Sequence, residues 1–111
     1  MYERSKHLDT FFVAGFQNYD GALVLDELKP GTPLSLCPEP DNPHDPDAIA
    51  LYFKTSKLGY VPRSSNELIA QLAYFGHADV FECHVLQVDP MEAPWEQVRV
   101  GLFVSDAREQ Q

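Results

Sequence analysis

The chain has 111 residues, 44% of them hydrophobic, which is apolar content for one packed domain rather than a disordered tail. Asp and Glu number 17 against 8 Lys and Arg, and the net charge of -9 argues against non-specific duplex binding, which depends on neutralising phosphates. No stretch approaches the ~18 apolar residues of a membrane span, and charge within the first ten residues excludes a signal-peptide core, so the expected location is cytoplasmic.

In chain order, residues 1–9 are polar and are expected to form a flexible N-terminus. Thr10 to Phe16 is a continuous apolar run of strand length, read as a strand buried on both faces, with Gly15 marking a bulge or close backbone approach. Residues 17–21 carry turn chemistry, and residues 22–28 read as a short helical turn capped by Asp20. Leu34 to Cys37 alternates and forms a second strand. Pro38 to Asp47 is a polar loop stiffened by Pro38, Pro40, Pro43 and Pro46, which fix φ and remove donors, so Asn42, His44, Asp45 and Asp47 should be held in fixed directions.

Ala48 to Phe53 is the third strand, with Ile49, Leu51 and Phe53 on one face. A four-residue connection, Lys54 to Lys57, leads to a return strand over Leu58 to Val61 that Pro62 ends. Ser64 and Glu67 have the spacing of a capping box for a helix running to about Phe75, with Leu68, Ile69, Leu72, Ala73 and Phe75 as its apolar stripe and Gly76 as its C-terminal cap. Val80 to Val88 and Trp95 to Val104 are the last two strands, and residues 105–111 form a polar tail. Six strands joined mostly by tight turns, with one helix, predict a mainly β fold: a small antiparallel barrel whose helix plugs one end.

Candidate chemistry is sparse. Asp41, Asp45 and Asp47 fail the calcium-loop pattern, since the positions for the required glycine and glutamate hold Pro46 and Tyr52. The histidines at 7, 44, 77 and 84 have no zinc-ligand spacing, so no metal or other cofactor is expected. Cys37 and Cys83 read as two buried thiols. Cys37 with His44 lacks any orienting group, so the reading is non-catalytic. What remains is a surface of flat rings, Tyr19, His44 and Tyr60, beside Arg63 at a helix start, which suits a stacked base with a phosphate.

Several segments together resemble the HIRAN domain: Val13-Ala14-Gly15-Phe16 with Tyr19 and Gly21, the strand ending in Glu39-Pro40, Asn42-Pro43-His44-Asp45 followed by Ala48-Ile49, and Leu58-Gly59-Tyr60-Val61-Pro62-Arg63. The likeness spans about residues 10–104. It implies a six-stranded barrel of OB or SH3-like character that captures single-stranded DNA by a 3′ end with a free hydroxyl, in a setting of DNA repair beside a helicase or nuclease partner. By position, the resemblance makes Asp45 the acceptor of the 3′-hydroxyl, and a carboxylate would repel a terminal phosphate. His44 stands where relatives have a stacking tyrosine, Tyr60 where they have a histidine, and Arg63 where they have a lysine near the phosphates. Tyr19 matches the second aromatic of the first loop, while Gln17 and Asn18 replace an arginine and a tyrosine. The alternative reading is a protein-interaction or self-assembly domain, supported by the acidic balance and by Trp95 and Phe103 should they be exposed.

Overall fold

The computed structural model describes residues 5–106. Six strands form one antiparallel sheet: β1 (Ser5–Phe12), β2 (Pro33–Pro38), β3 (Ile49–Phe53), β4 (Ser56–Tyr60), β5 (Phe81–Val88) and β6 (Val98–Ser105), paired in the order β1-β6-β5-β2-β3-β4. Two helices accompany them, α1 (Gly21–Val24) and α2 (Arg63–Tyr74).

The sheet curls because β2 serves two neighbours in succession. Its first residues, Pro33 and Leu34, pair with β5, and Ser35 to Pro38 pair with β3. The strands at the two ends of the order, β1 and β4, meet only beyond β1, where Ala14 and Tyr60 exchange two backbone hydrogen bonds of 2.8 Å. The barrel expected from the sequence is therefore loose, its seam joined by a single bridge rather than by a strand pair. Gly59 makes that bridge: a Cβ there would collide with the Ala14 carbonyl oxygen.

Ile49, Ala50, Leu51, Leu58, Val85 and Val100 are fully buried, so the core lies inside the curl. β3 is the most apolar strand because both of its faces are covered: Ala50 is as buried as Leu51. Helix α2 packs on β2 and β3 and sends Ile69 into the core. Its C-terminus closes as Gly76 predicts, with the Gly76 amide donating to Ala73 and the His77 amide to Leu72, the paired bonds of a Schellman cap.

Several local expectations are corrected. The first strand begins at Ser5, so residues 5–9 are paired with β6 rather than frayed. It also ends at Phe12. Phe11 and Val13 turn inward, while Phe12 stays half-buried beneath Arg99, whose guanidinium lies 5.0 Å from its ring. Gly15, at φ 71, then starts a 3-10 turn over Phe16–Asn18. No side chain caps α1 or α2, so Asp20 acts through its carbonyl, which accepts from Leu23, and the Ser64–Glu67 capping box does not form. The helix starts at Arg63, which puts Ser64 inside its first turn instead of ahead of it. The β3–β4 connection is a two-residue turn at Lys54 and Thr55, with Ser56 and Lys57 already paired. Cys83 is buried, its thiol pushed up to about 12 by desolvation, but Cys37 is exposed. The alternation that turns Leu34 and Leu36 inward turns Cys37 out. Trp95 lies in a 3-10 turn, Pro94–Glu96, ahead of β6. Residues 107–111 of the expected tail lie outside the described residues.

Candidate functional site

The loop between β2 and β3 is held by its own polar side chains. Asn42 Oδ1 accepts from the His44 amide at 2.9 Å and the Asp45 amide at 3.2 Å. Asp45 Oδ1 accepts from the Asp47 amide at 2.9 Å. These Asx-type turns do what the prolines cannot, since they fix ψ as well as φ. The loop is closed at its base by the Glu39 amide donating to the Ala48 carbonyl.

A four-residue cluster ties this loop to β4. The Tyr60 hydroxyl donates to Glu39 Oε1 at 2.7 Å, Lys57 Nζ donates to Glu39 Oε2 at 3.0 Å and to the Tyr60 hydroxyl at 2.7 Å, and Asn42 Nδ2 donates to Glu39 Oε1 at 3.1 Å. The Lys57 ammonium also lies 4.7 Å from the Tyr19 ring centre and 4.4 Å from that of Tyr60, and the two rings meet edge to face at 5.7 Å. Partial burial opposes the charge on Glu39, but hydrogen bonds from Tyr60, Lys57 and Asn42 outweigh it and lower the carboxyl pKa. Burial likewise opposes the Lys57 charge, and its bonds to Tyr60 and Glu39 with the carboxylate's charge hold its pKa above the ordinary lysine value. Burial raises the Tyr60 pKa, so its hydroxyl keeps its proton. A further bond, from the Asp20 amide to the Lys57 carbonyl at 2.9 Å, fixes the first loop and Tyr19 beside β4.

Between these two loops and the start of α2 lies an open pocket of 260 Å³. Tyr19, His44, Asp45, Tyr60 and Arg63 line it with Asn42, Asn66 and the small apolar surfaces of Ala14, Ala48 and Val61. Asp45 is central. The Asp47 amide and the Asn66 side-chain amide, which reaches Oδ2 at 2.9 Å, lower its pKa, and Arg63 adds its charge from 3.6 Å. Arg63 is anchored by donating to the His44 carbonyl at 2.7 Å, yet its side chain remains 74% exposed. The pocket thus offers an ionised acceptor, aromatic walls and a cation beside a helix start that no side chain caps.

Of the residues singled out from sequence, Tyr19, His44, Asp45, Tyr60 and Arg63 converge, although they span 45 positions of chain between Tyr19 and Arg63 only through the β3–β4 hairpin and the seam bridge. Gln17 and Asn18 are exposed on the adjoining turn and are not part of the pocket lining. Three contributors escaped the sequence reading. Asn66 is polar yet 4% exposed, and Glu39 and Lys57 act through long-range contacts; Trp95, which the sequence reading did single out, is 58% exposed on a turn that packs against the turn carrying Gln17 and Asn18. Phe103 is half-buried between the imidazoles of His84, stacked at 4.4 Å, and His7, at 4.9 Å.

Curled antiparallel architecture with a lipped pocket at its seam is the class of structure in hand: a small β module built around a binding cleft. A HIRAN domain family model matches residues 9–104, and the chain belongs to the HIRAN domain family. Two solved structures share the fold. A protein from Lactobacillus plantarum is 27% identical, with a TM-score of 0.74 over 90% of this chain and 94% of that one. The HIRAN domain of human HLTF is 14% identical, with a TM-score of 0.59 over 92% of this chain and 81% of that one. No curated protein matches the chain.

Proposed function

We propose that the chain is a non-catalytic nucleic-acid-binding module that captures the 3′ end of a single strand carrying a free hydroxyl. The observation that carries this reading is Asp45, an ionised carboxylate held on both oxygens by the Asp47 amide and the Asn66 side chain inside an aromatic-walled pocket. A carboxylate has about four acceptor positions, so one position on each oxygen remains for an incoming hydroxyl. A terminal phosphate meets like charge there and is rejected. Tyr19, His44 and Tyr60 supply faces for stacking, and Arg63 with the start of α2 supplies the positive end for a backbone phosphate. The family supports the reading. An end-holding module fits work beside a helicase or nuclease in the cytoplasm.

The test is fluorescence anisotropy on short single-stranded oligonucleotides ending in 3′-hydroxyl or 3′-phosphate, at low and moderate salt. Tighter binding of the hydroxyl end supports the reading. Equal affinity for both ends removes the role given to Asp45, and no binding at low salt removes the nucleic-acid reading altogether.

A second reading, a protein-interaction or self-assembly domain, draws on Trp95, Tyr74 and Phe75, exposed at 58%, 71% and 74%. An obligate oligomer in a sizing measurement, with the His44–Asp45 loop protected, would favour it.

A further inference from the structure

Asn66 is the one polar residue among the described residues counted within the buried set, and it sits on the core-facing side of α2 rather than on its wet face. Its chemistry is fixed by its neighbour. An ionised carboxylate cannot donate, so the Asn66 nitrogen must face Asp45 Oδ2, and the amide oxygen faces away from it. That oxygen has no partner among the described residues. No fully buried side-chain polar atom among them lacks one, so the oxygen is reached through the small exposed part of Asn66, and the side chain lines the pocket. The pocket lining therefore carries two acceptor groups, the Asp45 carboxylate and the Asn66 amide oxygen.

Resting on the end-capture reading above, we propose that Asn66 makes the pocket a reader of a ribose cis-diol, with Asp45 accepting from the 3′-hydroxyl and the Asn66 amide oxygen accepting from the adjacent 2′-hydroxyl. Among the donors near a chain end, the 2′-hydroxyl is the neighbour of the 3′-hydroxyl, whereas the exocyclic amines lie across the nucleoside on the base. The 2′-hydroxyl is also the group that distinguishes RNA from DNA at a given site. A deoxyribose would set an apolar carbon against the amide oxygen and exclude its water, leaving a buried acceptor unpaired. The ligand class is thus a single strand whose last nucleotide is a ribonucleotide.

The test uses one DNA oligonucleotide sequence with four 3′-terminal residues: deoxyribose, ribose, 2′-O-methylribose, and deoxyribose bearing a 3′-phosphate. The ribose end should bind about fivefold to tenfold more tightly than the deoxyribose end, the size of one net hydrogen bond. The 2′-O-methyl end, which has lost the donor, should fall to the deoxyribose level or below. Asn66→Ala should abolish the ribose preference, the ribose and deoxyribose ends then binding alike. Equal binding of ribose and deoxyribose ends, both above phosphate, overturns this proposal and leaves end capture standing. A ribose preference that survives in Asn66→Ala also overturns it, and no binding of any of the four overturns both. The wild-type series decides the matter even if the variant does not fold.

Discussion

The Tyr60 hydroxyl donates to Glu39 Oε1 at 2.7 Å, so the residue that walls the pocket from β4 is also the one that pins the proline-rich loop to the sheet. Tyr60→Phe removes that bond and the 2.7 Å bond the hydroxyl accepts from Lys57, but leaves the ring and the 3.0 Å Glu39–Lys57 pair. A loss of about 2 kcal/mol is expected, the net worth of two hydrogen bonds, with a melting-temperature fall of about 10 °C. A double-mutant cycle of Tyr60→Phe with Glu39→Gln should show coupling, because both changes act on one cluster. Additive effects in the thermal melts would mean the cluster is not a unit.

Gly59→Ala should be damaging too. Its methyl has no space beside the Ala14 carbonyl oxygen, and Ala14–Tyr60 is the single β-bridge at the seam among the described residues. At least about 2 kcal/mol should be lost, and oligonucleotide affinity should fall with it, since Tyr60 moves with the bridge. Unchanged denaturation midpoints would show that the seam is not needed for stability.

Trp95→Ala separates binding from folding. The side chain is exposed, so the melting temperature should stay within about 2 °C. If the single strand runs over the turn beside Asn18, affinity should fall by about 1–3 kcal/mol, the cost of losing one stacked base. Unaltered affinity in an anisotropy titration would place the strand elsewhere.

The acid and base limits of stability follow from the same cluster. Glu39 and Asp45 have lowered pKa values, so their contribution is present above their unfolded values and is lost as pH falls through the folded ones. Lys57 has a raised pKa, so its contribution is full below the unfolded value and is lost as pH rises through the folded one. Melting temperature should therefore be flat between about pH 5 and pH 10 and fall on both sides. Glu39→Gln should shallow the acid limb, and an unchanged limb in that variant would assign the acid sensitivity elsewhere. Because the Asp45 carboxylate stays ionised at pH 5, discrimination against a 3′-phosphate should persist there.

Much of the fold was legible because it is written locally. Val98, Val100 and Leu102 alternate and are buried, Gly76 ends the helix, and the Asn42–Asp45 loop is tied by hydrogen bonds between near neighbours. What the sequence hid is non-local or breaks the binary pattern. The inward face of α2 runs through Asn66, Ile69, Ala70 and Leu72, so a stripe chosen by apolarity enlisted Leu68 and Phe75, which are exposed, and passed over Asn66. Glu39, Lys57 and Tyr60 are charged or polar residues on a strand end and a hairpin, and only folding shows that they share protons. The barrel's looseness was equally invisible, because strand count does not say whether the last pair forms.

That looseness has a consequence for how the cleft can be altered. The pocket does not sit on a finished wall; its two sides are the two margins of the sheet, Ala14 with Tyr19 on one and Tyr60 on the other, held by the Ala14–Tyr60 pair of backbone bonds and the Asp20–Lys57 bond. Changing the width or reach of the cleft therefore means changing how the molecule is fastened. Ligand preference and mechanical integrity are therefore coupled at this margin of the sheet.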